Sequence, residues 1–87
     1  MAAKPVVALY GRPGCTLCDE AAAMLADLEG SLGFETVRVN IEEDDALLRR
    51  FMFEIPVVVV DEVEIARAPI HRRGLEQALR DSFRPVT

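Results

Sequence analysis

The order of apolar runs in this 87-residue chain predicts an α/β fold, a four-stranded mixed sheet flanked by three helices. Three observations carry that expectation. Residues 6–10 (VVALY) and 55–60 (IPVVVV) are continuous apolar runs of strand length, the mark of strands buried on both faces. Leu17, Ala21, Met24, Leu25 and Leu28 recur at helical spacing, as do Leu75, Ala78, Leu79 and Phe83. Residues 34–41 instead alternate, with Val37, Val39 and Ile41 on one side and Thr36, Arg38 and Asn40 on the other.

Taken along the chain, the first strand is closed by Gly11 and Pro13, and a helix follows from Leu17, punctuated at its end by Gly30 and Gly33. The alternating segment reads as an outer strand. Glu42, Glu43, Asp44 and Asp45 then stand at the positive end of a short second helix that closes near Arg49 and Arg50, a pattern that compensates the helix dipole. Ile55 and Pro56 open the third strand, and Asp61-Glu62 turns it into residues 63–67 as a hairpin. That turn has no Gly or Asn, so a longer loop or a bulge is expected there. The last helix lies between Pro69 and Pro85. Right-handed crossovers make the first three strands parallel or sheet-sharing partners, the hairpin adding antiparallel edges.

This length holds one domain, residues 1–87, with one modest core. The 51% apolar content fills that core without disulfide staples, and a bridge between cysteines three apart closes only a tiny loop. A net charge of −5 argues against a phosphate-backbone binder. Five apolar or aromatic positions before Gly11 are too few for a signal segment or a membrane span. The expectation is a cytosolic monomer that binds neither nucleic acid nor membrane. Disulfides in that compartment are rare and usually catalytic or sensing.

The two cysteines, Cys15 and Cys18, therefore point to thiol–disulfide exchange. Such chemistry needs one thiolate that attacks and a second thiol close enough to resolve the mixed disulfide. Cys15, at the start of the helix, faces unpaired N–H groups and the positive dipole end, which lower thiol pKa values from about 8.5 to roughly 3.5–7.5. It is the expected nucleophile, and Cys18, one turn inward, the resolving thiol. Pro13 and Gly14 shape the turn that exposes Cys15. Arg12 adds a positive charge near the sulfur, and Thr16 and Leu17, between the cysteines, tune the pair. A closed zinc site wants four ligands, whereas this chain offers two sulfurs and a distant His71, so no metal is expected within one chain. A cluster shared between two chains is the remaining metal reading.

With the strand ending in Leu9-Tyr10, the motif Arg12-Pro13-Gly14-Cys15-Thr16-Leu17-Cys18, the Ile55-Pro56-Val57 segment, the hairpin and the closing helix, the chain resembles the glutaredoxins, most closely the short bacterial glutaredoxin-like proteins of the thioredoxin fold. The resemblance implies a cis peptide at Ile55-Pro56, with Pro56 facing the cysteines and the Ile55 backbone N–H and C=O free to pair with an extended substrate. It also sets Arg12 where a basic residue meets a glutathione carboxylate. Glutathione-using members carry Gly-Gly and an acidic residue before the last helix; here residues 67–74 read RAPIHRRG, which counts against glutathione as reductant. Arg67, His71, Arg72 and Arg73 in that stretch read as a solvated helix start, or as a contact for an acidic partner.

The expected function is a dithiol oxidoreductase with no bound cofactor, acting on a disulfide-containing protein or a small thiol compound. Cys15 and Cys18 are its catalytic pair, and Arg12, Pro13, Thr16, Leu17, Ile55 and Pro56 its substrate-binding set. The alternatives are a binding module of the same fold, with silent or cluster-carrying thiols, and a redox sensor without turnover.

Overall fold

Strand β1 (Val6–Gly11) runs through the middle of a four-stranded sheet in a computed structural model that describes residues 4–84. After it come α1 (Thr16–Leu32), β2 (Glu35–Asn40), a 3₁₀ turn (Ile41–Glu43), α2 (Asp45–Phe51), β3 (Val57–Val60), β4 (Val63–Arg67) and α3 (Arg72–Phe83). The sheet order is β2-β1-β3-β4. β2 runs parallel to β1, with Val6 opposite Glu35 and Gly11 opposite Asn40. The third strand shares the sheet but runs antiparallel to β1, Tyr10 opposite Val57. Seven residues of α2 rise only about 10 Å, half the ~20 Å of a six-residue strand, so the chain re-enters the sheet at the end where β2 left it.

The two central strands explain why their sequences run apolar without alternation. Val7, Leu9, Val58 and Val60 point into one cluster with Leu25 and Leu28 of α1 and Leu75 and Leu79 of α3. Val57 and Val59 point the other way, joining Ile41, Phe51 and the half-buried Ala8 and Tyr10 under α2. Tyr10 meets Phe51 edge-on, ring centroids 5.1 Å apart. Among the described residues every buried side chain is apolar. No helix among them is long and apolar enough to cross a membrane.

Local details depart from the sequence expectation for identifiable reasons. Gly30 lies inside α1; the helix ends at Gly33, whose φ of 72° and N–H to Glu29 carbonyl bond of 2.8 Å form a left-handed cap. Of the acidic run, only Asp44 and Asp45 serve α2. Asp44 accepts from the N–H groups of Ala46 and Leu47 at 2.9 and 3.2 Å, while Glu42 and Glu43 belong to the 3₁₀ turn capped by Asn40. The regular part of β3 starts at Val57 rather than Ile55.

The hairpin closes in two residues despite its composition, with Val60 opposite Val63. Asp61 and Glu62 both take positive φ, 49° and 65°, the conformation of a primed turn that Gly and Asn adopt at less cost. The expected bulge falls inside the ladder instead: Val58 faces Ala66 and Val59 faces Glu64, leaving Ile65 as the extra residue on β4. On the opposite edge of the sheet, the Glu29 carboxylate accepts the Thr36 N–H at 2.9 Å, occupying one of the donors that an edge strand leaves open.

Candidate functional site

β1 delivers the chain at Gly11 to the turn that precedes α1, and that geometry decides where the sulfurs go. Arg12, Pro13 and Gly14 form the exposed turn, Gly14 at φ 77°. Cys15 is the N-cap of α1, extended at φ −96° and ψ 104°, and its sulfur accepts from the Cys18 N–H at 3.1 Å. Cys15 and Cys18 are joined as a disulfide, their Cα atoms 5.2 Å apart. Cys15 keeps partial solvent exposure while Cys18 has none. One sulfur is thus reachable from outside and the other is sealed behind it.

What seals Cys18 includes a residue that reads in the sequence only as a strand terminator. A Cβ added to Gly11 would stand 2.9 Å from the Cys18 sulfur and 3.1 Å from its Cβ. Gly11 is therefore the surface against which the inner cysteine packs. Its signal in the sequence is a glycine at the end of a buried strand, the kind that marks close approach of backbone to another group.

The remaining candidate residues fall into separate places. Leu17 is 57% exposed, although its spacing reads as core, and it lines a groove with Pro56. Pro56 is buried, and its peptide bond to Ile55 is cis, as is that between Ala68 and Pro69. Ile55 packs with the α2-side cluster, and its N–H is not free: it donates to the Phe51 carbonyl at 3.1 Å. The turn at residues 52–54 brings that carbonyl within reach, which removes the donor expected for an extended substrate. Arg12 and Pro13 line a different, shallower recess with Arg38, Val39, Asn40 and Glu43, beside β2. Thr16 is exposed and lines neither.

Electrostatically the surroundings are made of surface pairs. Arg38 meets Asp19 at 3.0 Å in an exposed ion pair. The basic stretch before α3 does not act as one patch: Arg67 is held by Glu54 at 2.7 Å and Arg72 by Asp27 at 2.9 Å. His71 is the N-cap of α3 without a side-chain cap bond, and it lines the groove beside Leu17. Arg73 stays exposed. The groove also collects Met24, which sequence spacing puts on the first helix, Pro69, which it puts ahead of the last one, and Ile70. Only the packing of the 68–71 connection against α1 makes them neighbours.

The arrangement has counterparts among known proteins. An uncharacterized protein of Mycobacterium tuberculosis is 32% identical over 63 residues, 67% of this chain; the match spans 65% of that relative's length. The solution structure of a Nitrosomonas europaea protein superposes with a TM-score of 0.75 at 25% identity, covering 88% of this chain and 93% of that one. The structure of thioredoxin-2, described as a component of malaria parasite protein secretion machinery, matches at 0.64 with 16% identity. It covers 93% of this chain and 85% of its own, a likeness of fold. A profile of the Glutaredoxin-like domain (DUF836) matches residues 6–80, from β1 into the last turns of α3, and the chain belongs to that glutaredoxin-like family of the thioredoxin fold.

Proposed function

We propose that this chain is a thiol–disulfide oxidoreductase working in the cytosol by a dithiol cycle. The observation that carries the reading is the asymmetry of the pair: a reachable Cys15 at the N-terminus of α1, bonded to a Cys18 that has no exposure. In the reduced protein the orphan N–H groups and the dipole of α1 favour the Cys15 thiolate. That thiolate attacks one sulfur of a substrate disulfide; a Cys15–substrate bond forms, the substrate S–S bond breaks, and the leaving thiolate takes a proton. Cys18 then attacks the Cys15 sulfur, expelling the second substrate thiolate, which takes the proton Cys18 gave up. Two electrons and two protons have passed to the substrate. The Cys15–Cys18 disulfide left behind is returned to the dithiol by an external thiol reductant.

In this reading the substrate contacts are Leu17 and Pro56, which line one groove, Arg12 and Pro13, which line the recess beside β2, and the exposed Thr16. Ile55 acts by holding Pro56 in place rather than by donating its N–H. Packing of Cys18 against Gly11 keeps the resolving sulfur at the distance the second step needs. The test is disulfide reduction driven by a generic dithiol donor. Wild type is expected to turn over and Cys15→Ser to be inactive; equal rates for the two would sink the mechanism.

A further inference from the structure

α2 covers only part of its face of the sheet. Its seven residues rise about 10 Å beside strands of about 20 Å, whereas α1 and α3, of 17 and 12 residues, cover the opposite face. The strand register and the exposures show what α2 leaves bare. Val37, Ala8, Val59 and Glu64 stand opposite one another across the four strands, on the face that Val59 shares with α2. Val6, two positions before Ala8, lies on that face beside Glu35. Val6 and Val37 are diagonal neighbours on adjacent strands, each 48% exposed, with the half-buried Ala8 at the corner between them. Singly exposed valines are ordinary on a surface; two that adjoin make a strip.

The rim of this strip is predominantly acidic. Glu35, Glu62 and Glu64 are exposed and form no ion pair among the described residues. Glu62 and Glu64 line the recess between α2 and the hairpin, with Tyr10, Leu47 and Val59. Against these three carboxylates stand Arg50, whose guanidinium lies over the Phe51 ring at 4.8 Å from its centroid, and Lys4, two residues ahead of Val6 in the chain. A second copy of the chain, itself of net charge −5, would set acidic rim against acidic rim. A basic partner meets no such repulsion. The width also fits one element: three strands about 4.8 Å apart span about 10 Å, the diameter of a helix, in the layer that α2 already occupies.

We infer that this strip receives an amphipathic helix of a partner protein, its apolar side on Val6, Ala8 and Val37 and its lysines or arginines against Glu35, Glu62 and Glu64. β1 begins at Val6 and reaches the cysteine turn only after Gly11, so a partner docked here stands at the far end of the strand from Cys15 and leaves the disulfide open to substrate. Docking and thiol chemistry are thus separate properties of the chain, and either can be tested without the other.

The experiment uses the oxidised full chain and three fluorescent, cysteine-free helical peptides: one with a leucine stripe flanked by lysines, the same with glutamates in place of the lysines, and the first with its residues scrambled so that no stripe forms. Fluorescence anisotropy reads the binding. The striped lysine peptide is expected to bind saturably, about tenfold or more tighter than either control, and to weaken as salt rises. Val37→Ser and Val6→Ser should each weaken it by about fivefold. Glu64→Lys should narrow the gap between the lysine and glutamate peptides. Val63→Ser, equally exposed but on the α3 face beside Ala78, should leave binding unchanged. No saturable binding, equal binding of striped and scrambled peptides, or valine variants at positions 6 and 37 that bind as wild type does overturn the proposal. So does a dimer of the free protein in sedimentation velocity that Val37→Ser dissociates, because the occupant of the strip is then a second copy.

Discussion

Gly11 and Cys18 leave no room between them for a methyl group: a Cβ on Gly11 would fall 2.9 Å from the Cys18 sulfur. That contact joins the end of the central strand to the first turn of α1 and buries the inner sulfur completely.

Gly11→Ala is therefore expected to destabilise the protein by about 1–3 kcal/mol, the range for forcing extra volume into a packed site. Urea unfolding of the oxidised protein checks it, because the disulfide then holds the sulfur and the strand end must move. The same substitution at Gly30, exposed within α1 and with open space around its Cβ position, should instead raise stability by up to about 1 kcal/mol through helix propensity. An unchanged midpoint for Gly11→Ala would contradict the packing described.

The hairpin makes the opposite case, a place where the chain carries residues that its backbone disfavours. Asp61 and Glu62 sit at φ 49° and 65°, where a non-glycine residue costs about 1 kcal/mol or more. Replacing the pair by Asn-Gly should raise the urea midpoint, a gain of about 1 kcal/mol, without altering the β3–β4 register. A loss of stability would mean that the two-residue turn is not the conformation in solution.

How much of this was legible in the sequence depends on whether a residue's role is local. The central strands were legible because burial on both faces leaves an unbroken run such as VVVV, and α1 because Ala21, Leu25 and Leu28 keep one stripe against the sheet. Leu17 obeys the same spacing yet is exposed, since in the first turn the buried stripe continues through Cys18, which packs against Gly11 at the end of β1. The direction of β3 follows from the length of α2, which sequence bounds only loosely. The cysteines announced a site, but the groove lined by Leu17 did not show: Met24, Pro56 and Ile70 come from three segments that meet only through the fold. Arg12 and Leu17, close in the chain, line different recesses because α1 starts between them.

Phe51 and Phe53, two positions apart, separate packing from display. Phe51 is 3% exposed among Ile41, Val57 and Val59, and Phe53 is 91% exposed in the turn leading to Pro56. Phe51→Ala should cost about 3–5 kcal/mol. Phe53→Ser should change stability by no more than about 0.5 kcal/mol. Thermal or urea unfolding of the two variants checks the contrast, and a large loss for Phe53→Ser would show that the turn packs against something.

The sealed position of Cys18 makes one further outcome specific. In Cys18→Ser the first attack by Cys15 proceeds but nothing displaces the substrate, so a mixed disulfide with Cys15 should accumulate and be released by added dithiol. Mass spectrometry of the variant after exposure to a peptide disulfide is expected to show one peptide added to the chain, whereas wild type passes to the internal disulfide and retains none. Cys15→Ser should retain almost nothing on the same timescale: its remaining sulfur is Cys18, which the fold keeps from solvent. Adduct formation through Cys18 at the rate seen through Cys15 would reverse the assignment of attacking and resolving sulfurs, because it would require the buried thiol to be as reachable as the capping one.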